Sequence, residues 1–180
     1  AAALRYCREQ HRPKRVVTLI CDSGNKYLSK VFDDFWLAEQ GLAERERHGN
    51  LRDLVARSFR EGQVVNVGPD ESLLNAYGRM RRADVSQLPV IDQGRLVGIV
   101  DESDILAKVD GPYDGRWDRF NEPVRTAMTS DLHILQASQT LDALLPVFDR
   151  NEVAIIFDGE EFVGLITRID LINHLRRNGK

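Results

Sequence analysis

Two short stretches combine residue types that could bind a ligand. "VGLITRIDLI" (163–172) ends an apolar run with Thr167, Arg168 and Asp170, and "VGIVDESDIL" (97–106) ends a similar run with Asp101, Glu102 and Asp104. A strand that enters a helix through Thr167-Arg168-Ile169-Asp170 places backbone N–H groups and a hydroxyl at a helix N-terminus, an arrangement suited to anionic or oxygen-rich ligand groups. Asp170, in the first turn, can accept hydrogen bonds from vicinal hydroxyls such as those of a ribose. The same residues also make an ordinary helix cap, with Thr167 as N-cap and Asp170 complementing the helix dipole. For a single copy both readings stand.

The duplication shifts that balance. Gly98 and Gly164 align 66 residues apart, and the same offset pairs Val97 with Val163, Asp104 with Asp170, Ile105 with Leu171 and Asp92 with Asp158. Both copies therefore place an Asp beside a seam where a cleft can open, which favours ligand binding in the second copy. The first copy carries Asp101-Glu102 where the second has Thr167-Arg168. Two added carboxylates repel a phosphate, since unit charges about 4 Å apart interact by about 4 kcal/mol at an effective dielectric of about 20. The cleft at Asp104 is thus expected to be empty or to take an uncharged or cationic ligand, and the cleft at Asp170 to be the competent one.

The elements that hold these residues repeat in a fixed order. "VVNV" (64–67) reads as a strand, "ESLLNAYGRM" has helical apolar spacing, "QLPVID" and "RLVGIV" are β-branched runs around Gln93-Gly94, and a helix begins near Glu102 or Ser103. The second copy follows with "LHIL", "TLDALLPVF", "VAIIFD", "EFVGLI" and "RIDLINHLRR", where Pro146 should kink or shorten the first helix. The β-α-β-β-α order predicts two α/β (α+β) motifs packed sheet to sheet, because one copy cannot cover its own apolar face. Upstream of the strands the offset becomes 68 (Met80 with Phe148), which places the length difference in the turn after that helix. "DGPYDGRWDRFNEP" (110–123) reads as the linker between copies, pinned by Trp117 and Phe120.

The bulk of the sequence excludes several classes of function. With 25 basic and 28 acidic residues in 180, the net charge of -3 offers no field for nucleic acid or an anionic membrane. Cys7, Cys21 and four scattered histidines have no metal-ligand spacing, and reduced thiols point to the cytoplasm. No apolar run is long enough to span a bilayer, and the N-terminal residues lack a signal-peptide pattern. No nucleophile–base pair or carboxylate pair with catalytic spacing occurs, so catalytic residues are predicted to be none.

The terminal pattern of the second copy (Gly, two apolar residues, Thr, two residues, Asp) and the matching openings "LRDLV" and "VRTAM" resemble the tandem CBS-domain pair, or Bateman module, over residues 51–177. The resemblance implies two clefts that bind adenosyl ligands (AMP, ATP or S-adenosylmethionine) and assembly into a homodimer. It assigns the ribose-binding Asp to Asp170 and Asp104, and its Thr to Thr167, with Ile169 between. The adenine-lining stretch falls on Val85, Gln87 and Leu88 for the competent cleft and on Val153 and Ala154 for the weaker one. Leu88 is larger than the small residue common there, and its extra methylenes would crowd an adenine.

"RVVTLICDSGNKYLSKVFDDFWLAEQGL" (15–42) resembles the end of the catalytic domain and the linker of pyridoxal-phosphate-dependent cystathionine beta-synthases. Physically, "RVVTLI" reads as a strand, Asp22-Ser23-Gly24 as a turn, and Leu28, Val31, Phe32 and Phe35 as an apolar helical stripe beside Trp36, closed by Gly41. That stripe needs a partner surface, either the repeat core or the catalytic domain of the same polypeptide. Lys26 reads as a surface lysine and not as a Schiff-base lysine. The expected organisation is 1–50 catalytic-domain end and linker in a helix-strand-helix order, 51–109 first motif, 110–123 linker and 124–180 second motif. The expected function is regulatory adenosyl-ligand sensing and dimerisation, without catalysis in this chain, in a parent lyase that carries pyridoxal phosphate. The alternatives are a purely structural dimerisation module with empty clefts, or the module of another parent.

Overall fold

The computed structural model describes residues 2–19, 34–39, 42–43, 48–111 and 115–178. Residues 1–45 and 46–180 form separate compact units. In the first, helices α1 (Ala2–Arg8) and α2 (Asp34–Glu39) are formed, and Trp36 on α2 is half-buried. The strand expected from "RVVTLI" is not formed over its described part, residues 15–19, where Val17 and Leu19 are exposed. A β-branched run becomes a strand only when a neighbour takes its backbone N–H and C=O groups, and among the described residues none does. The expected turn at 22–24, the stripe residues Leu28, Val31 and Phe32, and Cys21, Lys26 and Gly41 lie outside the described residues.

In the second unit α3 (Leu73–Ala83) starts at Ser72, whose Oγ accepts from the Asn75 N–H at 3.2 Å, and ends at Asp84 in the left-handed region. Leu73, Ala76 and Met80, three and four residues apart, are buried on one face. Strands β1 (Gln87–Asp92) and β2 (Arg95–Asp101) form an antiparallel hairpin whose turn, Gln93-Gly94, has positive φ at both residues, and α4 (Glu102–Val109) follows. Of "VVNV" only Val67 pairs, in parallel with Val90. Side chains take two of the other carbonyls: the Asn66 amide donates to that of Val64, and Arg79 donates to that of Asn66.

The connecting stretch is partly helical, with α5 at Arg116–Phe120. Phe120 packs on the first core while Trp117 is exposed, and Arg119, which donates to the Val109 carbonyl, and Glu122, which pairs with Lys108, also tie this stretch to the first motif. The second motif contains β3 (Ile134–Gln136), a 3₁₀ turn at Leu141–Leu144, α6 (Leu145–Asp149), β4 (Ala154–Asp158), β5 (Glu161–Ile166) and α7 (Arg168–Asn178). Its sheet order is β3-β4-β5, with β3 parallel to β4 and β4 antiparallel to β5. Pro146 sits in the first turn of α6 and leaves a five-residue α-helix where the first motif has eleven.

The two-residue length difference is divided between two places. The helix N-caps Ser72 and Thr140 stand 68 apart, the left-handed residues Asp84 and Asn151 stand 67 apart, and the strands 66. One residue is therefore absorbed inside the helix and only one in the turn that follows. A 3₁₀ residue rises about 2.0 Å against about 1.5 Å in an α-helix, so the second helix covers a similar length with fewer residues.

Each motif has its own core, and a third cluster joins their sheets. Ile91 and Leu96 of the first hairpin meet Ile155, Phe157, Phe162 and Leu165 of the second around buried Val64. The opening segments are exchanged. Leu51, Leu54 and Val55 of the first copy are buried in the second motif's core with Ile156 and Ile166. Val124 of the second copy is buried in the first motif's core with Leu88 and Val100, with Ala127 and Met128 packed beside it. Thr129 and Ile99 exchange backbone hydrogen bonds at 2.8 and 2.9 Å, and the Phe59 N–H donates to the Val163 carbonyl at 2.8 Å.

The aligned glycines lie under these crossings. A Cβ at Gly164 would stand 2.7 Å from the Arg57 carbonyl oxygen and 2.8 Å from Val55 Cγ1, and one at Gly98 2.9 Å from Met128 Sδ and 3.0 Å from the Thr129 carbonyl oxygen. Gly164→Ala is expected to cost about 2–3 kcal/mol by overpacking against fixed backbone, a fall in Tm of roughly 5–10 °C. Gly98→Ala, which meets the flexible Met128 thioether first, should cost less. Thermal denaturation of both variants checks the order.

Candidate ligand clefts

Among the described residues two clefts open between the motifs. The larger, about 610 Å³, is walled on one side by Val85, Gln87 and Pro89 and on the other by Thr167, Ile169 and Asp170, with Ala56 and Arg57 of the crossing segment. The smaller, about 190 Å³, is walled by Gln87, Asp101 and Asp104 on one side and Val153 and Ile155 on the other. Only the larger falls in the range of roughly 300–1,000 Å³ typical of small-molecule sites.

Most of the sequence-predicted residues meet at these walls: Val85, Gln87, Thr167, Ile169 and Asp170 at the large cleft, Asp104 and Val153 at the small one. The side chains of Leu88 and Ala154 do not. Both are fully buried in the motif cores, Leu88 between the cleft-lining Gln87 and Pro89, and Ala154 between Val153 and Ile155. Alternate residues of a strand face opposite sides, so the expected crowding by Leu88 does not arise.

At the large cleft Asp170 Oδ2 accepts from the Thr167 N–H at 2.8 Å and from Thr167 Oγ1 at 2.6 Å. The Thr167 hydroxyl therefore orients the carboxylate. Among the described residues Asp170 Oδ1 accepts no hydrogen bond and keeps its capacity for a ligand hydroxyl. Arg168 donates to the Phe148 carbonyl and, at 2.6 Å, to Asn151 Oδ1, which ties α7 to the end of α6.

At the small cleft two carboxylates stand at the helix start. Asp101 Oδ1 accepts from the Asp104 N–H at 2.8 Å while Asp104 Oδ2 accepts from the Asp101 N–H at 2.9 Å, a reciprocal capping box. Asp131 and Glu152 add carboxylates to the lining, and His133 Nδ1 lies 2.7 Å from Glu152 Oε2. Burial, reinforced by the charge of Asp101, raises the Asp104 pKa above its ordinary value of 3.8, while the hydrogen bond from the Asp101 N–H opposes the shift. Among the described residues no group of His, Cys, Asp and Glu could hold a metal ion, and no helix is long and apolar enough to cross a membrane.

The family model for the CBS domain matches residues 52–111 and 124–177. The chain belongs to the CBS-domain family. The CBS pair is similar to cystathionine beta-synthase of Dictyostelium discoideum, 22% identical over 98% of this chain and 37% of that protein, and to that of Oryctolagus cuniculus, 21% identical over 100% of this chain and 35% of that protein. The chain thus spans little more than a third of these relatives. Among solved structures it is similar to a CBS domain-containing protein from Bacillus anthracis (TM-score 0.61, 22% identity, 73% of this chain and 95% of that one). It is likewise similar to CBSX2 in complex with AMP (TM-score 0.61, 22% identity, 73% and 98%). These likenesses establish the fold of the CBS pair.

Sequence reasoning missed the contribution of Ala56, Arg57, Asn151 and Glu152 to the cleft walls. For Ala56 and Arg57 the signal was the alignment of "LRDLV" with "VRTAM", since segments at equivalent places cross to equivalent seams, and Asn151 and Glu152 directly precede Val153. The raised Asp104 pKa means that the folded protein holds this proton more tightly than the unfolded chain does. Its contribution to stability is therefore greatest at acid pH and declines as pH rises above 3.8 through the raised value. Asp104→Asn retains an oxygen to accept from Asp101 and abolishes that decline. Urea titrations at about pH 3 and about pH 7 should show the variant gaining on the natural protein at the higher pH.

Proposed function

We propose that this CBS pair is a regulatory sensor of an adenosyl ligand, bound in the large cleft with its ribose on Asp170. The observation that carries the reading is the open Oδ1 of Asp170, oriented by Thr167 at the edge of a cleft of about 610 Å³. Val85, Pro89 and Ile169 supply apolar walls for the base, and Gln87 a polar group beside it. The AMP complex of CBSX2, a protein of the same fold, supports this ligand class. The small cleft, with its smaller volume, a second carboxylate at the helix start and an acidic lining, is the weaker site in this reading.

The parent is a cystathionine beta-synthase-like enzyme that carries pyridoxal phosphate in a catalytic domain beyond this chain. The supporting observation is extent: the alignments with those enzymes run over 98–100% of the chain and past the CBS pair into residues 1–45, whereas that with the Methanocaldococcus jannaschii protein MJ1404 covers 74%. Exposed Leu74, Tyr77 and Leu106 on α3 and α4 suit the homodimer expected from the sequence. Because the cleft walls come from both motifs, a ligand that prefers one spacing of the motifs biases their packing and, through the N-terminal segment, the catalytic domain.

Thermal denaturation with AMP, ATP and S-adenosylmethionine tests the reading. A ligand at about 100 times its Kd adds about 2.7 kcal/mol, several degrees of Tm. Asp170→Ala is expected to abolish that gain. Absence of a shift with all three, or a full shift in Asp170→Ala, would contradict it.

A further inference from the structure

Within the large cleft the charged side chains differ in how far they are committed. Arg168 is held by Phe148 and Asn151, and Glu152 is held between His133 and Arg150. Asp170 is half satisfied by Thr167. Arg57 is different. Its backbone is fixed where the crossing segment passes over Gly164, the residue is exposed and belongs to the cleft wall, and among the described residues its guanidinium has no acidic partner or hydrogen-bond acceptor. The corresponding crossing at the small cleft brings the uncharged Thr129, with Asp131 two residues on. One cleft therefore receives an uncommitted cation from its crossing segment, and the other receives none.

We infer that Arg57 is the specificity-determining residue of the large cleft and selects an adenosyl ligand with an anionic 5′ group, a phosphate ester, over one with a cationic sulfonium. This inference rests on the assignment of the ribose to Asp170 and concerns the other end of the ligand. A guanidinium binds phosphate through paired, charge-assisted hydrogen bonds, and its attachment to a segment held by the sheet lowers the entropy lost on binding. A sulfonium at the same place would meet like charge from Arg57. Asp84, also at the cleft wall, keeps the lining from becoming strongly basic, so recognition depends on where the cation stands and not on the net field.

Calorimetric titration of the full chain with adenosine, AMP and S-adenosylmethionine tests this. AMP is expected to bind about ten- to hundredfold more tightly than adenosine, the range of one charge-assisted hydrogen-bonded pair, and more tightly than S-adenosylmethionine. Arg57→Gln should bring AMP down to the affinity of adenosine and leave adenosine itself unchanged, while Arg57→Lys should restore part of the difference. Equal binding of AMP and adenosine, preference for S-adenosylmethionine, or an unchanged AMP-to-adenosine ratio in Arg57→Gln would each overturn the role of Arg57 while leaving the ribose assignment intact. Failure of adenosine, AMP and S-adenosylmethionine alike to bind would overturn the assignment of the cleft and the inference with it.

Discussion

The structure depends on two backbone crossings. The segment that opens each motif runs across the last strand of the other, over Gly164 on one side and Gly98 on the other, at distances that leave no room for a Cβ. Leu51, Leu54 and Val55 complete the second core, and Val124, Ala127 and Met128 complete the first. Each half thus lacks part of its own core and receives it from its neighbour. This exchange, with the sheet-to-sheet cluster around Val64, Ile155 and Phe162, makes residues 46–180 one compact unit.

The crossings also shape the clefts. Where they cross the glycines, the exchanged segments also form part of each cleft wall, Ala56 and Arg57 at one and Thr129 at the other, while the motif helices present Asp170 and Asp104. Pseudo-symmetry makes two equivalent clefts, and a few substitutions make them unequal. Thr167 in place of Asp101 replaces a second carboxylate at the helix start by a hydroxyl that donates to the Asp, and the crossing segment brings Arg57 to one cleft and the uncharged Thr129 to the other.

Much of this was legible in the sequence because duplication made it so. The 66-residue offset revealed the hairpins, the helix starts and the equivalence of Asp104 with Asp170, and the periods of the apolar residues placed the elements. What escaped has physical causes. That Gly98 and Gly164 are required because a distant segment lies on them could not be seen without the tertiary arrangement. The parity that turns Leu88 and Ala154 into the cores follows from the strand register, and the division of the length change follows from a 3₁₀ turn that periodicity does not register. "RVVTLI" has strand composition over 15–19 but no described neighbour to pair with, and composition alone does not make a ladder.

The central claim is that near-symmetry of fold produces a single competent cleft. Counting bound ligand per chain at saturation tests it most directly, by native mass spectrometry with AMP at a concentration well above its Kd. The account predicts one ligand per chain. Two equivalent ligands per chain, or none, would contradict it.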